Sequence, residues 1–293
     1  MTVESGLSGR AEVSPALDQL VTLVRGRRIA VLTGAGVSTD SGIPDYRGEG
    51  SLPRTPMTFQ MFLGDERARK RYWAGSHLGW KRFTSVTPNA GHRALVALEQ
   101  AGHVTGVITQ NVDGLHTAAG SRRVVELHGA MDTVVCLACG QAFGRDSVAK
   151  RLETANPVLT TPESIRIAPD GDADVGDIDD FVVPDCTVCG GMLKPNVVFF
   201  GEFVPTDTFA EAAALVASAD VLLVAGSSLT VNSGIRLVEQ ARRAAKPIVI
   251  VNRGVTKGDG RAVVKIDAGT SEVLAELAQR LAKDLDFEPD LRS

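Results

Sequence analysis

Apolar residues fall along this chain in two kinds of run. Short continuous runs, "IAVL" at 29–32, "VLLVA" at 221–225 and "IVIV" at 248–251, read as strands covered on both faces. A strand with one wet face would alternate apolar and polar positions instead. Between them the spacing turns helical. "ALDQLVTLVR" at 16–25 follows Pro15 and stops at Gly26, and "GHRALVALEQA" at 91–101 closes on Gly102. Residues 206–219, 233–245 and 271–285 carry the same periodicity, and 104–111, 246–252 and 262–267 add strands. Strand–helix alternation predicts an α/β fold with a doubly wound, mostly parallel, Rossmann-like sheet.

Two stretches interrupt the alternation. Residues 45–88, rich in Pro, Arg and aromatics, read as a loop with short helices, and residues 130–195 read as an inserted module. The expected organisation is one domain over 15–293. Residues 15–48, 89–129 and 196–283 build the sheet part, 49–88 a loop-and-helix part, and 130–195 the insert. The insert's acidic run "DGDADVGDIDD" at 170–180 reads as a solvated loop.

Composition narrows the classes. With 44% hydrophobic and 23% charged residues among 293, the chain is not of the disordered kind. Thirty-one basic against thirty-five acidic residues give −4, which favours neither bare nucleic acid nor an anionic membrane surface as partner. No apolar run approaches the roughly 20 residues a bilayer span needs. The opening "MTVESGLSGRAEVSP" has no apolar stretch behind a basic start, so no secretory signal is expected and a cytoplasmic location is.

Three clusters carry candidate chemistry. "VLTGAGVSTDSGIP" at 31–44 puts Gly34 and Gly36 directly behind the first strand, where backbone N–H groups approach a pyrophosphate. The spacing departs from G-x-G-x-x-G because position 39 is Thr. Residues 43–56 also cannot be the second strand whose terminal acid dehydrogenases use. A bound dinucleotide fits this pattern, hydride transfer is not supported, and a plain strand-to-helix turn stays open.

Cys136-Leu-Ala-Cys139-Gly140 and Cys186-Thr-Val-Cys189-Gly190 form two C-x-x-C-G knuckles. Tetrahedral zinc takes four such thiolates, and a site filled by four cysteines keeps no open position, so a structural zinc is predicted. The separation of the pairs is a small obstacle, because loop-closure cost grows slowly with length. Two unrelated reduced pairs, or a redox dithiol, are the plainer alternatives.

"ITQNVDGLH" at 108–116 ends a strand with Gln110, Asn111 and Asp113. Ligands of open α/β sheets sit outside the carboxyl ends of the strands, and three polar side chains there suit ribose hydroxyls and an amide. "VVELHGAMD" at 124–132 carries His128 at the end of a short apolar strand that leads into the cysteine module. His77, His92 and His103 read as structural. By spacing alone His116 and His128 are equal candidates for acid–base work.

Together these segments resemble the sirtuins, the Sir2 family of NAD-dependent protein deacylases, over about residues 20–280. The likeness rests on "GAGVSTDSGIPDYRG" at 34–48, "TQNVDGLH" at 109–116, "ELHG" at 126–129, both cysteine pairs, "LKPNVVFFGE" at 193–202, "GSSLTV" at 226–231 and "IVNRG" at 250–254. "RYWAGSHLGW" at 71–80, "GSRRVVELHG" at 120–129 and the insert with "APDGD" at 168–172 are similar to class II sirtuins.

The resemblance implies roles. Gly34, Ala35, Gly36 and Ser38 would form the pyrophosphate turn, with Asp45, Tyr46 and Arg47 on a cofactor loop where Tyr46 shields the reactive ribose. Gln110 and Asn111 would meet ribose hydroxyls and water, and Val112 and Asp113 the nicotinamide carboxamide. Gly226, Ser227 and Ser228 would lie by phosphate and ribose, Asn252, Arg253 and Gly254 by the adenosine ribose, and Thr270 by adenine. The acyl-lysine strand of a protein or peptide substrate would pair with Val198, Phe199, Phe200, Gly201 and Glu202 on one side and "GSSLTV" on the other.

In the reaction so implied, the acyl oxygen attacks the ribose carbon that bears nicotinamide. His128, with Asn111 and Asp113 beside it, then activates a ribose hydroxyl as general base. The products are nicotinamide, free lysine and O-acyl-ADP-ribose. A mono-ADP-ribosyltransferase and a non-catalytic NAD-binding zinc sensor are the rival readings. The acyl group is open among acetyl, longer alkyl, lipoyl and biotinyl. A dicarboxylate preference is not expected, because Tyr72 is followed three residues later by Gly75 and not by the Arg of a Tyr-x-x-Arg pair.

Overall fold

The computed structural model of the chain describes residues 5–45, 56–157 and 178–285. Its strands are β1 (Ile29–Thr33), β2 (Val104–Thr109), β3 (Val124–Glu126), β4 (Gly129–Cys136), β5 (Ala142–Gly144), β6 (Leu193–Val197), β7 (Val221–Ala225), β8 (Ile248–Val251) and β9 (Val264–Ile266). Its helices are α1 (Ser5–Val24), α2 (Phe59–Gly64), α3 (Glu66–Phe83), α4 (Ala90–Gln100), α5 (Leu115–Ala119), α6 (Arg145–Ala155), α7 (Thr206–Ser218), α8 (Asn232–Arg243) and α9 (Thr270–Leu285).

Six strands make a parallel sheet in the order β3-β2-β1-β7-β8-β9. Every residue of β1, β7 and β8 is buried, as the continuous apolar runs predicted. Successive residues serve opposite cores. Ile29 and Val31 pack with Leu20 of α1, Leu95 of α4 and Leu277 of α9, while Ala30 and Leu32 pack with Leu215 of α7 and Leu237 of α8. Each such leucine contributes about 1.5–3 kcal/mol when fully buried. From β1 the chain runs outward to β2 and β3, then returns to β7 on the other flank of β1. The sheet therefore has its topological switch point between β1 and β7, where a crevice opens at the carboxyl ends.

A second lobe holds the antiparallel sheet β5-β4-β6. It shares one apolar core with α2, α3 and α6, built on Phe62, Tyr72, Trp73, Val134, Val148 and Leu193. Arg145, the first residue of α6 and only 1% exposed, ties the lobe together. Its Nη2 donates to Ser76 Oγ at 2.9 Å, and its guanidinium lies 4.9 Å from the Trp73 ring centroid. Burial pushes its pKa down to about 10, so it stays charged at neutral pH.

Two elements differ from the sequence expectation. Residues 66–83 form one 18-residue helix where a loop with short helices was expected. Tyr72 through Gly79 are all buried, so the middle of the helix has no solvent face and leaves no 3.6-residue pattern to read. Helix α1 begins at Ser5 with Pro15 inside it, not behind Pro15. Proline lacks the N–H and interrupts the ladder, but Leu17, Leu20, Val21 and Val24 beyond it still dock on the sheet. Tyr46, Arg47, "APDGD" and most of the acidic run at 170–180 lie outside the described residues. Among the described residues no helix is long and apolar enough to cross a membrane.

Candidate active site

The crevice at the switch point starts from a contact between two backbones. Gly36 N–H donates to Gly226 O at 2.9 Å, and Gly34 N–H to Ala225 O at 3.1 Å. A Cβ on Gly34 would stand 2.8 Å from Gly226 O, and one on Gly226, where φ is +64°, would stand 2.4 Å from Val37 N. Only glycine lets the turn after β1 meet the turn after β7 this closely. The glycines thus serve a backbone junction as well as leaving the turn open to a phosphate.

The polar ends of β1 and β2 are wired across that junction. Asn111 Nδ2 donates to Gly34 O and to Ser38 Oγ, both at 3.1 Å. Ser38 Oγ donates to Asp113 Oδ2 at 2.6 Å, and Leu115 N–H to Asp113 Oδ1 at 2.9 Å. Burial raises the Asp113 pKa, and these hydrogen bonds to its charged form oppose the rise. Ser227 Oγ donates to Gln110 Oε1 at 2.5 Å. Thr270 Oγ1, at the start of α9, donates to Gly36 O at 3.2 Å.

The structure separates the two histidines that spacing left equal. His116 is 1% exposed, lies 2.9 Å from Thr33 Oγ1 through Nε2, and packs against His92 with centroids 4.7 Å apart and ring planes 56° from parallel. It is absent from the crevice wall. His128 is on that wall, and both of its ring nitrogens are held. Nδ1 is 2.9 Å from Gln110 O and Nε2 is 2.8 Å from Ser233 Oγ. A carbonyl oxygen only accepts, so Nδ1 carries the hydrogen and Nε2 presents the lone pair. Burial lowers the His128 pKa, partly offset by the Gln110 carbonyl. The ring is a neutral base at neutral pH.

The loop after β6 closes the other side. Val198 N–H donates to His128 O at 2.8 Å, and Phe59 N–H to Phe200 O at 2.9 Å. Buried Lys194 reaches Glu202 Oε2 at 3.0 Å and donates to Val197 O at 2.6 Å. Glu202 Oε2 also accepts from Phe199 N–H at 2.9 Å, so both ends of the 198–202 loop are pinned. Burial lowers the Lys194 pKa and Glu202 opposes it. Phe199 backs onto Tyr72, ring centroids 4.9 Å apart and edge-on. The resulting crevice encloses about 1510 Å³, beyond the roughly 300–1,000 Å³ of ordinary small-molecule pockets and roomy enough for a dinucleotide beside a lysine chain. Apart from His116, every described residue named above as a catalytic, cofactor or substrate candidate lies on its wall.

Cys136, Cys139, Cys186 and Cys189 bring their sulfurs within 4.8 Å of one another. Cys136 Sγ to Cys189 Sγ is 3.5 Å and Cys139 Sγ to Cys186 Sγ is 3.9 Å. Tetrahedral zinc with Zn–S bonds of about 2.3 Å separates its sulfurs by about 3.8 Å. The four thiols fit that ion, which would brace the turn after β4 against the turn before β6.

Three contributors to the site escaped the sequence reading. Ser233 meets the His128 lone pair, yet a serine opening a helix reads as an ordinary capping residue. Leu229 is held at φ +55° inside the 226–231 turn, with its N–H on Ser227 Oγ at 3.2 Å. Asn89 donates through Nδ2 to Val37 O at 2.7 Å while its Oδ1 caps α4. Only the last had a signal, the Asn-x-x-His spacing of a capping box.

Residues 34–233 match the Sir2 family. The chain is 56% identical over 278 residues to the NAD-dependent protein deacetylase 1 of Mycobacterium avium (strain 104), covering 94% of this chain and 97% of that one. It is 54% identical over 277 residues to the NAD-dependent protein deacetylase 1 of Streptomyces coelicolor, covering 93% and 91%. Among solved structures, a Sir2-p53 peptide-NAD+ complex superposes with a TM-score of 0.71 at 31% identity, covering 93% of this chain and 99% of that one.

Proposed function

Because the chain belongs to the Sir2 family and is an NAD-dependent protein deacetylase, we propose that the crevice between β1 and β7 removes acyl groups from lysine side chains with His128 as the general base. NAD is consumed as co-substrate and supplies, when bound, a ribose carbon open to attack with nicotinamide as its leaving group. The backbone amides of the 34–38 turn hold the pyrophosphate. Val112 and Asp113 orient the carboxamide, and Gln110 and Asn111 the ribose. Ser227 and Ser228 lie by phosphate and ribose, Asn252 and Arg253 by the adenosine end. The 198–202 loop takes the acyl-lysine segment as an added strand, and Phe199, backed by Tyr72, forms an apolar wall for the acyl group. Zinc on the four cysteines is structural. The reduced thiols it needs suit a cytoplasmic location.

The single observation that supports this reading most is the fixed tautomer of His128, whose Nδ1–H is held by the Gln110 carbonyl so that its Nε2 lone pair faces Ser233 at the crevice wall. That lone pair is the final acceptor of the proton that a ribose hydroxyl gives up after nicotinamide has left. His128→Ala should therefore lower deacylation by about 10²–10⁴-fold, the usual worth of a positioned base, while nicotinamide exchange into NAD persists. His116→Ala should cost far less catalysis in folded protein. Near-normal deacylation by His128→Ala, or a larger loss in His116→Ala, would show the assignment to be wrong.

A further inference from the structure

His128 does not meet the crevice with an empty lone pair. Its Nδ1 is committed to the Gln110 carbonyl, and its Nε2 points at Ser233 Oγ 2.8 Å away. A neutral imidazole has one lone pair. With Nδ1 protonated, the Ser233 hydroxyl must be the donor in that second bond. Ser233 is 7% exposed and, like His128, lines the crevice. Its own oxygen keeps lone pairs that can accept a hydrogen bond.

The placement is built by the neighbouring residues. Ser233 is the second residue of α8, and Gly234 follows it. A Cβ on Gly234 would stand 2.9 Å from Gln110 Nε2, so the start of α8 rests directly on Gln110. That same Gln110 holds His128 through its carbonyl and Ser227 through its Oε1. Gln110, His128 and Ser233 therefore form one fixed unit, and the base reaches the crevice through the serine.

We propose that Ser233 relays the proton from the ribose hydroxyl to His128, an inference that rests on the deacetylase reading above. The ribose O–H bond breaks as a new Ser233 O–H bond forms. The original Ser233 O–H bond breaks as the His128 Nε2–H bond forms. The electron pair left on the ribose oxygen makes its bond to the acyl carbon, and the π bond between that carbon and the positively charged lysine nitrogen breaks, its pair passing to the nitrogen, which becomes neutral. Ser233 ends neutral and His128 ends as imidazolium, so charge and protons balance without another reactant.

The test compares Ser233→Ala and Ser233→Thr with native protein on an acetyl-lysine peptide. Ser233→Ala should slow formation of free lysine by about 10-fold or more, part of the range a general base supplies, with nicotinamide exchange retained. Ser233→Thr, which keeps the hydroxyl, should recover most of the loss. If Ser233→Ala fails to fold, Ser233→Val, which has the shape of the threonine variant without its hydroxyl, should show a loss of the same order. An independent readout needs no substrate. In ¹⁵N-histidine NMR of the free protein, His128 should be the Nδ1–H tautomer, and Ser233→Ala should move its Nε2 resonance toward that of an unbonded nitrogen.

Deacylation by folded Ser233→Ala near the native rate overturns the relay. So does Ser233→Thr as impaired as Ser233→Ala, an Nε2 resonance that does not respond, or loss of exchange together with deacylation, which would assign Ser233 to NAD binding. Native protein that shows no nicotinamide exchange would instead overturn the deacetylase reading itself.

Discussion

A histidine becomes a base or a strut according to what holds its two nitrogens. His128 is held so that one nitrogen donates to a carbonyl and the other offers its lone pair. His92 and His116 pack against each other away from solvent, and burial pushes their pKa values down to about 4 and about 3. Unfolded histidine titrates near 6.5. Between that value and the folded ones the unfolded chain binds more protons, so stability falls as pH falls. The contribution is complete above pH ~6.5 and declines as the solution is acidified toward the folded pKa values. Melting temperature should drop between pH 7 and pH 5 with zinc content unchanged, and His116→Asn should flatten that slope while lowering stability at pH 7. An unchanged slope in calorimetry would contradict the burial argument. Spacing could not distinguish His116 from His128, because both follow strands of the same sheet. Their difference lies in which loops converge on each ring, and no local pattern records that.

Among elements, the junction of the β1 and β7 turns decides whether there is a crevice at all. Gly26 and Gly226 share a left-handed conformation, at φ +66° and +64°. A Cβ on Gly26 would meet nothing within 4 Å, whereas one on Gly226 would meet Val37 N at 2.4 Å. Gly26→Ala should therefore cost only the backbone term of about 1–2 kcal/mol. Gly226→Ala should cost more and should also weaken NAD binding, as urea titration and calorimetry with NAD would report. Equal costs for the two variants would refute the junction.

The metal knuckles are a second junction, between β4 and β6. One zinc per chain is expected, and Cys186→Ser should lose it together with stability and activity, since metal binding at such sites is coupled to folding. Elemental analysis giving well under one zinc in freshly purified, active protein would contradict this. Both junctions were visible in the sequence as glycines behind a strand and as paired cysteines. Helix α3 was not, because the uninterrupted burial of its middle, residues 72–79, erased the periodicity there.

On the scale of the whole molecule, the strands of the large sheet were legible because each is buried on both faces. The crevice was legible only as scattered motifs. Residues as distant as Gly34, Gln110, His128 and Ser233 share its wall because the switch point gathers the carboxyl ends of β1, β2, β3 and β7. Their roles are those the family resemblance implies, and Ser233 belongs to no motif: only its contact with His128 marks it. The central claim is that this crevice spends NAD to free an acylated lysine. Mass spectrometry of a reaction with an acetyl-lysine peptide and adenine-labelled NAD tests it directly. Nicotinamide and free-lysine peptide should appear in equal amounts, with the label on a small O-acetyl-ADP-ribose product and no change in absorbance at 340 nm. Label retained on protein, or nicotinamide release without loss of the acetyl group, would contradict it.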